Sequence, residues 1–187
     1  MHMDSSFYFD VPRPAKLSRL LIFIKWLLII PHAFVLWAYG ILAGVAGFVG
    51  WFAVLILGYY PKGLWDIVYG YVRYSTRVSI YSTLLRDEYP PFGEGPYPME
   101  LHQAHAEKQS RLLVLARFIL LIPLAIWLSL VGLWAGILLV VAFFAILITG
   151  SIPEGIFDWL VRIMRYSLKV NLYSYVLTDD WPGFSLD

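Results

Sequence analysis

Two stretches decide how this chain folds: SRLLIFIKWLLIIPHAFVLWAYGILAGVAGFVGWFAVLILGYYP at residues 18–61, and SRLLVLARFILLIPLAIWLSLVGLWAGILLVVAFFAILITGSIP at residues 110–153. They superimpose on a shift of 92 residues, and the match runs on without a gap to Phe92 and Phe184. The positions kept include polar and turn-forming residues as well as apolar ones: Arg19/Arg111, Pro31/Pro123, Gly58/Gly150, Pro61/Pro153, Asp66/Asp158, Arg73/Arg165 and Tyr81/Tyr173. Self-similarity of this kind defines the structural unit before any activity is considered.

Each stretch is almost free of charge. Leu20 to Tyr60 holds only Lys25, and Leu112 to Ile152 holds only Arg117. One straight helix of that length would reach about 60 Å, twice the roughly 30 Å of a bilayer's hydrocarbon core. The expectation is therefore a transmembrane hairpin in each repeat. Its spans would cover residues 20–38 and 41–60 in the first copy, and 112–130 and 133–152 in the second. Gly40 and Gly132 sit at the midpoints, where a tight turn favours positive φ. Arg13, Lys16, Arg19, Lys62 and Lys108 all lie outside those midpoints. The positive-inside rule then places both termini, as a multi-pass protein, in the cytoplasm. Two spans per copy return the chain to the same side, so the repeats are expected to be parallel, related by an axis along the membrane normal.

A third element follows each hairpin. Gly58-x-x-Pro61 and Gly150-x-x-Pro153 end one helix and start another. The helices expected over 61–86 and 153–178 are too polar to span cheaply. On a helical wheel Leu64, Ile67, Val68, Tyr71, Ser75, Val78 and Ser82 share a face. Asp66, Arg73 and Arg77 lie opposite, as do Asp158, Arg162, Arg165 and Lys169 in the second copy. That is the pattern of an amphipathic helix at the cytoplasmic interface. Residues 1–17 read as an N-terminal segment without a cleavable signal, and 93–109 as a Pro/Gly-rich linker ending in a helix entry. The fold class is thus an all-α integral membrane protein of two parallel repeats, 18–92 and 110–184.

Composition excludes several functions. Net charge is +1 and there is no cysteine, so neither nucleic-acid binding nor thiolate chemistry is expected. Eight Trp, 13 Tyr and 12 Phe exceed the needs of interfacial belts and supply rigid contact surface.

The ends of the repeat carry a family resemblance. Pro14-x-x-x-Ser18-Arg19 leading to Ile30-Pro31-His32, then Tyr81 and Asp87-Glu88-Tyr89-Pro90-Pro91-Phe92, resembles a bacterial integral membrane family known only as domain of unknown function 4389, here in two tandem copies. The second copy departs from it at Leu124, in place of the histidine, and at Trp181-Pro182-Gly183. The resemblance implies a small protein of the bacterial inner membrane and supplies no activity, cofactor or catalytic residue.

Several groups of residues are candidates for a specific role. Gly40/Gly44 and Gly132/Gly136 place small residues one turn apart, as closely packed membrane helices do. Ser75, Ser82, Ser167 and Ser174 interrupt the apolar face and suggest docking on another helix instead of acyl chains. Lys25 and Arg117 either snorkel to headgroups or meet a carboxylate or lipid phosphate. The Asp/Arg faces either form ion pairs, meet anionic headgroups or are simply solvated. His102 and His105 have a spacing that puts two imidazoles on one helix face, a weak metal motif without supporting ligands. His32 either bonds a carbonyl freed by Pro31 or serves a cofactor held by a partner subunit.

With no catalytic constellation and no cofactor motif, a non-enzymatic accessory or scaffold subunit is expected, its partners being membrane lipids and other membrane subunits or a second copy. Membrane shaping by hairpin wedges is the alternative. A channel or transporter component, which needs an oligomer for its pathway, is the third.

Overall fold

The structure, a computed structural model, describes residues 7–186, so the first six residues of the expected N-terminal segment lie outside it. The elements in order are β1 (Phe7–Asp10), α1 (Leu21–Leu28), α2 (Ile30–Leu57), α3 (Lys62–Ser82), β2 (Glu100–Gln103), α4 (Arg111–Thr149) and α5 (Glu154–Ser174).

Neither apolar block folds back on itself. Ile29 keeps a helical backbone between α1 and α2, so that Leu21–Leu57 is one 37-residue helical run, and α4 runs 39 residues through Pro123. Gly40 and Gly132 are ordinary helical positions; the positive-φ glycines are Gly58, Gly150 and Gly183. The hairpins expected at residues 38–41 and 130–133 are therefore replaced by continuous helices. One helical glycine costs about 1 kcal/mol against alanine. A turn would instead leave four C=O groups unmet before it and four N–H groups unmet after it, in segments with little besides Ser129 to cap them. The chain reverses where capping is available, at Gly58 (φ 81°) and Gly150 (φ 75°), each followed by a proline that opens the next helix.

Each long helix buries one narrow stripe. Ile22, Lys25, His32, Ala46, Gly50 and Val54 face inward, and so do Val114, Arg117, Leu124, Leu138, Ala142 and Ile146, the same positions shifted by 92. The steps of three, four and seven keep the stripe straight along the helix. Ala43 and Val131 are buried beside it, and most of the remaining large side chains are uncovered, including Trp26, Phe34, Trp37, Phe48, Phe118 and Leu133. Only 28% and 22% of their most apolar windows are buried, far too little for core helices of an ordinary globular domain. By length and composition both helices are long and apolar enough to cross a membrane.

The inward stripes are covered by α3 and α5, which return antiparallel along α2 and α4. Tyr39 donates to the carbonyl of Ile67 (3.1 Å), and Tyr60 to that of Ala46 (3.3 Å). On the far side of α3 and α5 lies a two-stranded antiparallel ribbon, with Phe7 opposite Gln103 and Asp10 opposite Glu100. The expected linker thus contains a strand, so the chain is not purely helical. The ribbon is tied down by Tyr69 Oη to the Leu101 carbonyl (3.0 Å) and by Arg165 to the Phe9 carbonyl. Three layers result: long apolar helices, amphipathic helices, and the ribbon, whose Phe9 packs into the core.

The two repeats meet through reciprocal contacts. Leu17 N donates to Gly150 O (2.8 Å) and Gln109 N to Gly58 O (2.9 Å), residues that are equivalent under the repeat shift. Such a pairing is the signature of a local twofold axis. The head of each long helix lies at the tail of the other, so they run antiparallel, with Phe23 against Phe143 and Trp51 against Phe118.

Close packing relies on glycines other than those expected. Gly44, Gly132 and Gly136 have open space where a Cβ would sit, and Gly40 meets only the edge of the Tyr71 ring (3.5 Å). On the long helices Gly50 is the tight position: a Cβ there would overlap the buried Tyr60 ring. Gly50→Ala should therefore lower stability by about 1–3 kcal/mol, read as detergent-resistant unfolding temperature, while Gly136→Ala leaves it unchanged or slightly raises it.

Candidate functional site

The head of each long helix carries a buried cation, and both meet the same constellation. Lys25 Nζ lies 2.9 Å from the Asp87 carboxylate, donates to the Arg86 carbonyl (2.6 Å) and stands 4.7 Å above the Tyr81 ring. Arg117 Nη2 lies 2.8 Å from Asp179, Nη1 donates to the Tyr173 carbonyl, and the guanidinium stands 4.2 Å above the Tyr173 ring. Both cations are only 2% exposed. Each carboxylate also takes the backbone N–H of the serine that starts the helix: Ser18 to Asp87 (2.5 Å) and Ser110 to Asp179 (2.6 Å). The serines in turn accept from Leu21 and Leu113. Of the alternatives for Lys25 and Arg117, the carboxylate holds and snorkelling does not.

Geometry explains why the carboxylates arrive there. Leu84 (φ 64°) and Val176 (φ 61°), again equivalent residues, adopt the left-handed conformation just past α3 and α5. A leucine or valine in that region is strained by roughly 1–2 kcal/mol. The strained turn swings the following residues back to the cation, which a regular helix end would not do.

His32 is completely buried. Its Nδ1 lies 2.6 Å from Tyr74 Oη, and its ring stacks on Phe92 at 4.3 Å. It bonds this hydroxyl and not the carbonyl freed by Pro31. In the second copy Leu124 fills the same place, and Tyr166 donates instead to the Gly183 carbonyl (2.9 Å).

The members of the two Asp/Arg faces meet separate surroundings. Asp66 pairs with Lys62 one turn away, and Arg73 approaches the Tyr69 ring (6.0 Å). Arg77 is buried and donates to the Gly93 carbonyl (2.6 Å). Asp158 and Arg162 remain on the exposed face, the latter over Trp159 (5.8 Å); Arg165 is taken by the ribbon, and Lys169 is half-buried. Ser75 and Ser167 line a cleft between α3, α4 and α5, their hydroxyls turned back to Val72 and Ile163 of their own helices. Ser174 is half-buried, whereas Ser82 is exposed and docks on nothing among the described residues.

The histidine motif of the linker is dispersed. His102 lies in β2 opposite Tyr8, and His105 Nε2 contacts the Tyr60 carbonyl (2.8 Å) beside Trp65. There is no helix to align the two imidazoles.

Sequence reasoning overlooked Asp87 and Asp179 as partners of the buried cations. Their signal was present: they recur under the same 92-residue shift, in register with Lys25/Arg117 and Tyr81/Tyr173. Removing either carboxylate leaves a buried uncompensated charge. Asp87→Ala and Asp179→Ala should each cost about 3–5 kcal/mol, measured by chemical unfolding in detergent. The double replacement Lys25→Met with Asp87→Leu should recover most of that loss.

Residues 19–93 and 111–185 each match a family model described as "Domain of unknown function (DUF4389)". No curated protein and no solved structure matches the chain.

Proposed function

The chain belongs to the DUF4389 family as a tandem pair of its domains, and we propose that it is a non-catalytic membrane protein that lies in one leaflet and shapes or organises the lipid around it. The observation that carries this reading is the one-sided distribution of polarity: two uncovered apolar helices form one outer layer, and the amphipathic helices and ribbon lie along them, not at their ends.

Magnitudes favour the in-plane orientation over spanning. Helices of 37 and 39 residues are about 56 and 58 Å long at 1.5 Å per residue. Fitting them across a core of roughly 30 Å needs a tilt of about 60°, beyond the usual 0–40°. An upright orientation would also carry α3 into the hydrocarbon with Asp66, Arg73 and Arg77, each costing at least about 2.5 kcal/mol near the centre. Laid flat, a helix about 10 Å thick fits within one leaflet of about 15 Å. The pair would then displace on the order of 1,000 Å² of that leaflet alone, which is the geometry of a curvature-generating wedge. A twofold axis relating antiparallel in-plane helices stands along the membrane normal, so both repeats still present the same side to the membrane.

The buried ionisable groups support a mechanical role, since Lys25 and Arg117 are engaged in pairs that hold the fold. The exposed Trp26, Trp37 and Trp134 favour a second reading, in which this layer docks on another membrane subunit.

The chain has no cysteine, so single ones can be placed at will. Lys16→Cys and Tyr59→Cys, at opposite ends of the first long helix, should both react with an impermeant maleimide from the same side of sealed vesicles, and Trp37→Cys from neither. Labelling of the two ends from opposite sides would establish a spanning helix, and reaction of Trp37→Cys from the far side a hairpin.

A further inference from the structure

The first repeat holds a cavity of about 210 Å³ between α2, α3 and the turn at residues 92–94. Its walls include Tyr39, Tyr74 and the two guanidinium groups of Arg73 and Arg77; Val35 and Phe92 supply apolar lining, and Glu94 an acid. Gly70 keeps the floor open, since a side chain there would collide with the Tyr39 hydroxyl.

A buried donor beside the cavity is unmet. Arg77 is 6% exposed, its Nη1 is used by the Gly93 carbonyl, and its buried Nε has no partner. Arg73 lies one turn away on the same helix, so two like charges share the space. Burial, then the Arg73 charge, push the Arg77 guanidinium below its ordinary pKa, and Glu94 and Tyr97 oppose this only in part. A second anion in the cavity would relieve the repulsion between the two arginines. Tyr74 adds a hydroxyl held in place from behind by His32. The second repeat has spent the equivalent groups otherwise: Arg165 donates to the β1 carbonyl of Phe9, and Leu124 replaces the histidine.

Val35 and Phe92 belong to the uncovered apolar surface, so the cavity joins that surface to a cationic interior. We propose that it binds the phosphate of an anionic glycerophospholipid, with Arg73 and Arg77 on the phosphate, Tyr74 on an ester or headgroup oxygen, and Val35 and Phe92 along the first acyl carbons. The lipid source rests on the in-plane reading above; the phosphate chemistry rests on the cavity itself.

The test uses the full chain in a neutral detergent, titrated with phosphatidylglycerol, phosphatidylcholine and soluble glycerol 1-phosphate, with bound ligand read by native mass spectrometry. The wild type should prefer phosphatidylglycerol to phosphatidylcholine by at least about tenfold, as charge-assisted pairing to two arginines requires. Arg77→Gln should abolish the preference. Arg73→Gln, at a half-buried position outside the core, should do the same without risk to folding. Arg162→Gln, an equal loss of charge on the exposed face of α5, should keep the preference. Its survival in Arg73→Gln and Arg77→Gln, or its loss in all three, would overturn the site. Glycerol 1-phosphate binding as tightly as the lipid would overturn the lipid assignment and make a free phosphate ester the occupant. Flotation of each variant with phosphatidylcholine vesicles reads the embedding separately, so a failure of that reading is distinguishable from a failure of the cavity.

Discussion

A cation buried at the head of each long helix is the constraint on which the rest of the fold depends. Taking a lysine or arginine out of water costs several kcal/mol unless a charge and good hydrogen bonds replace the solvent. Here the replacement is a carboxylate, a backbone carbonyl and a tyrosine face, all delivered from the far end of the following amphipathic helix. The helix must therefore come back along the long one, and the chain must turn sharply once it arrives. The left-handed Leu84 and Val176 are the conformational cost of that turn. Because Asp87 and Asp179 also take the N–H groups of Ser18 and Ser110, the same carboxylates secure the start of each long helix.

Most of the large side chains outside the narrow stripe of each long helix are then left for other surroundings. With α3 and α5 on one side and the ribbon beyond them, polarity rises in a single direction through the molecule. A bilayer leaflet with its headgroup layer has the same profile. The antiparallel crossing of the long helices, locked by the reciprocal bonds between residues 17 and 150 and between 109 and 58, keeps the apolar layer in one sheet.

The duplication is not carried through to the polar side. Both copies keep the cation, carboxylate and tyrosine, which hold the fold. They differ at His32 against Leu124, and in what Arg73 and Arg165 touch. The strand β1 occupies Arg165 of the second copy, while the first copy retains a cavity lined by Arg73 and Arg77.

Much of this was legible from residues alone. The repeat unit shows in the 92-residue self-match, and the helical character of both apolar blocks, the breaks at Gly58-x-x-Pro61 and Gly150-x-x-Pro153 and the amphipathic helices after them follow from local rules, because each depends on neighbours within a few positions. Three features did not. The absence of a hairpin turned on the competition between a glycine's small helical cost and the loss of capping at an apolar turn, which no single residue announces. The partners of Lys25 and Arg117 lie 62 positions away, and charge pairing over that distance exists only after the chain has reversed. The tight glycine of α2 is Gly50 and not Gly44, since what matters is the Tyr60 ring that the turn after Gly58 folds back against it. Sequence by itself determined which segments are helical and apolar, through periodicity and local backbone chemistry; only the tertiary structure decided which way they run and which charges meet, because those depend on distances that the return of α3 and α5 creates.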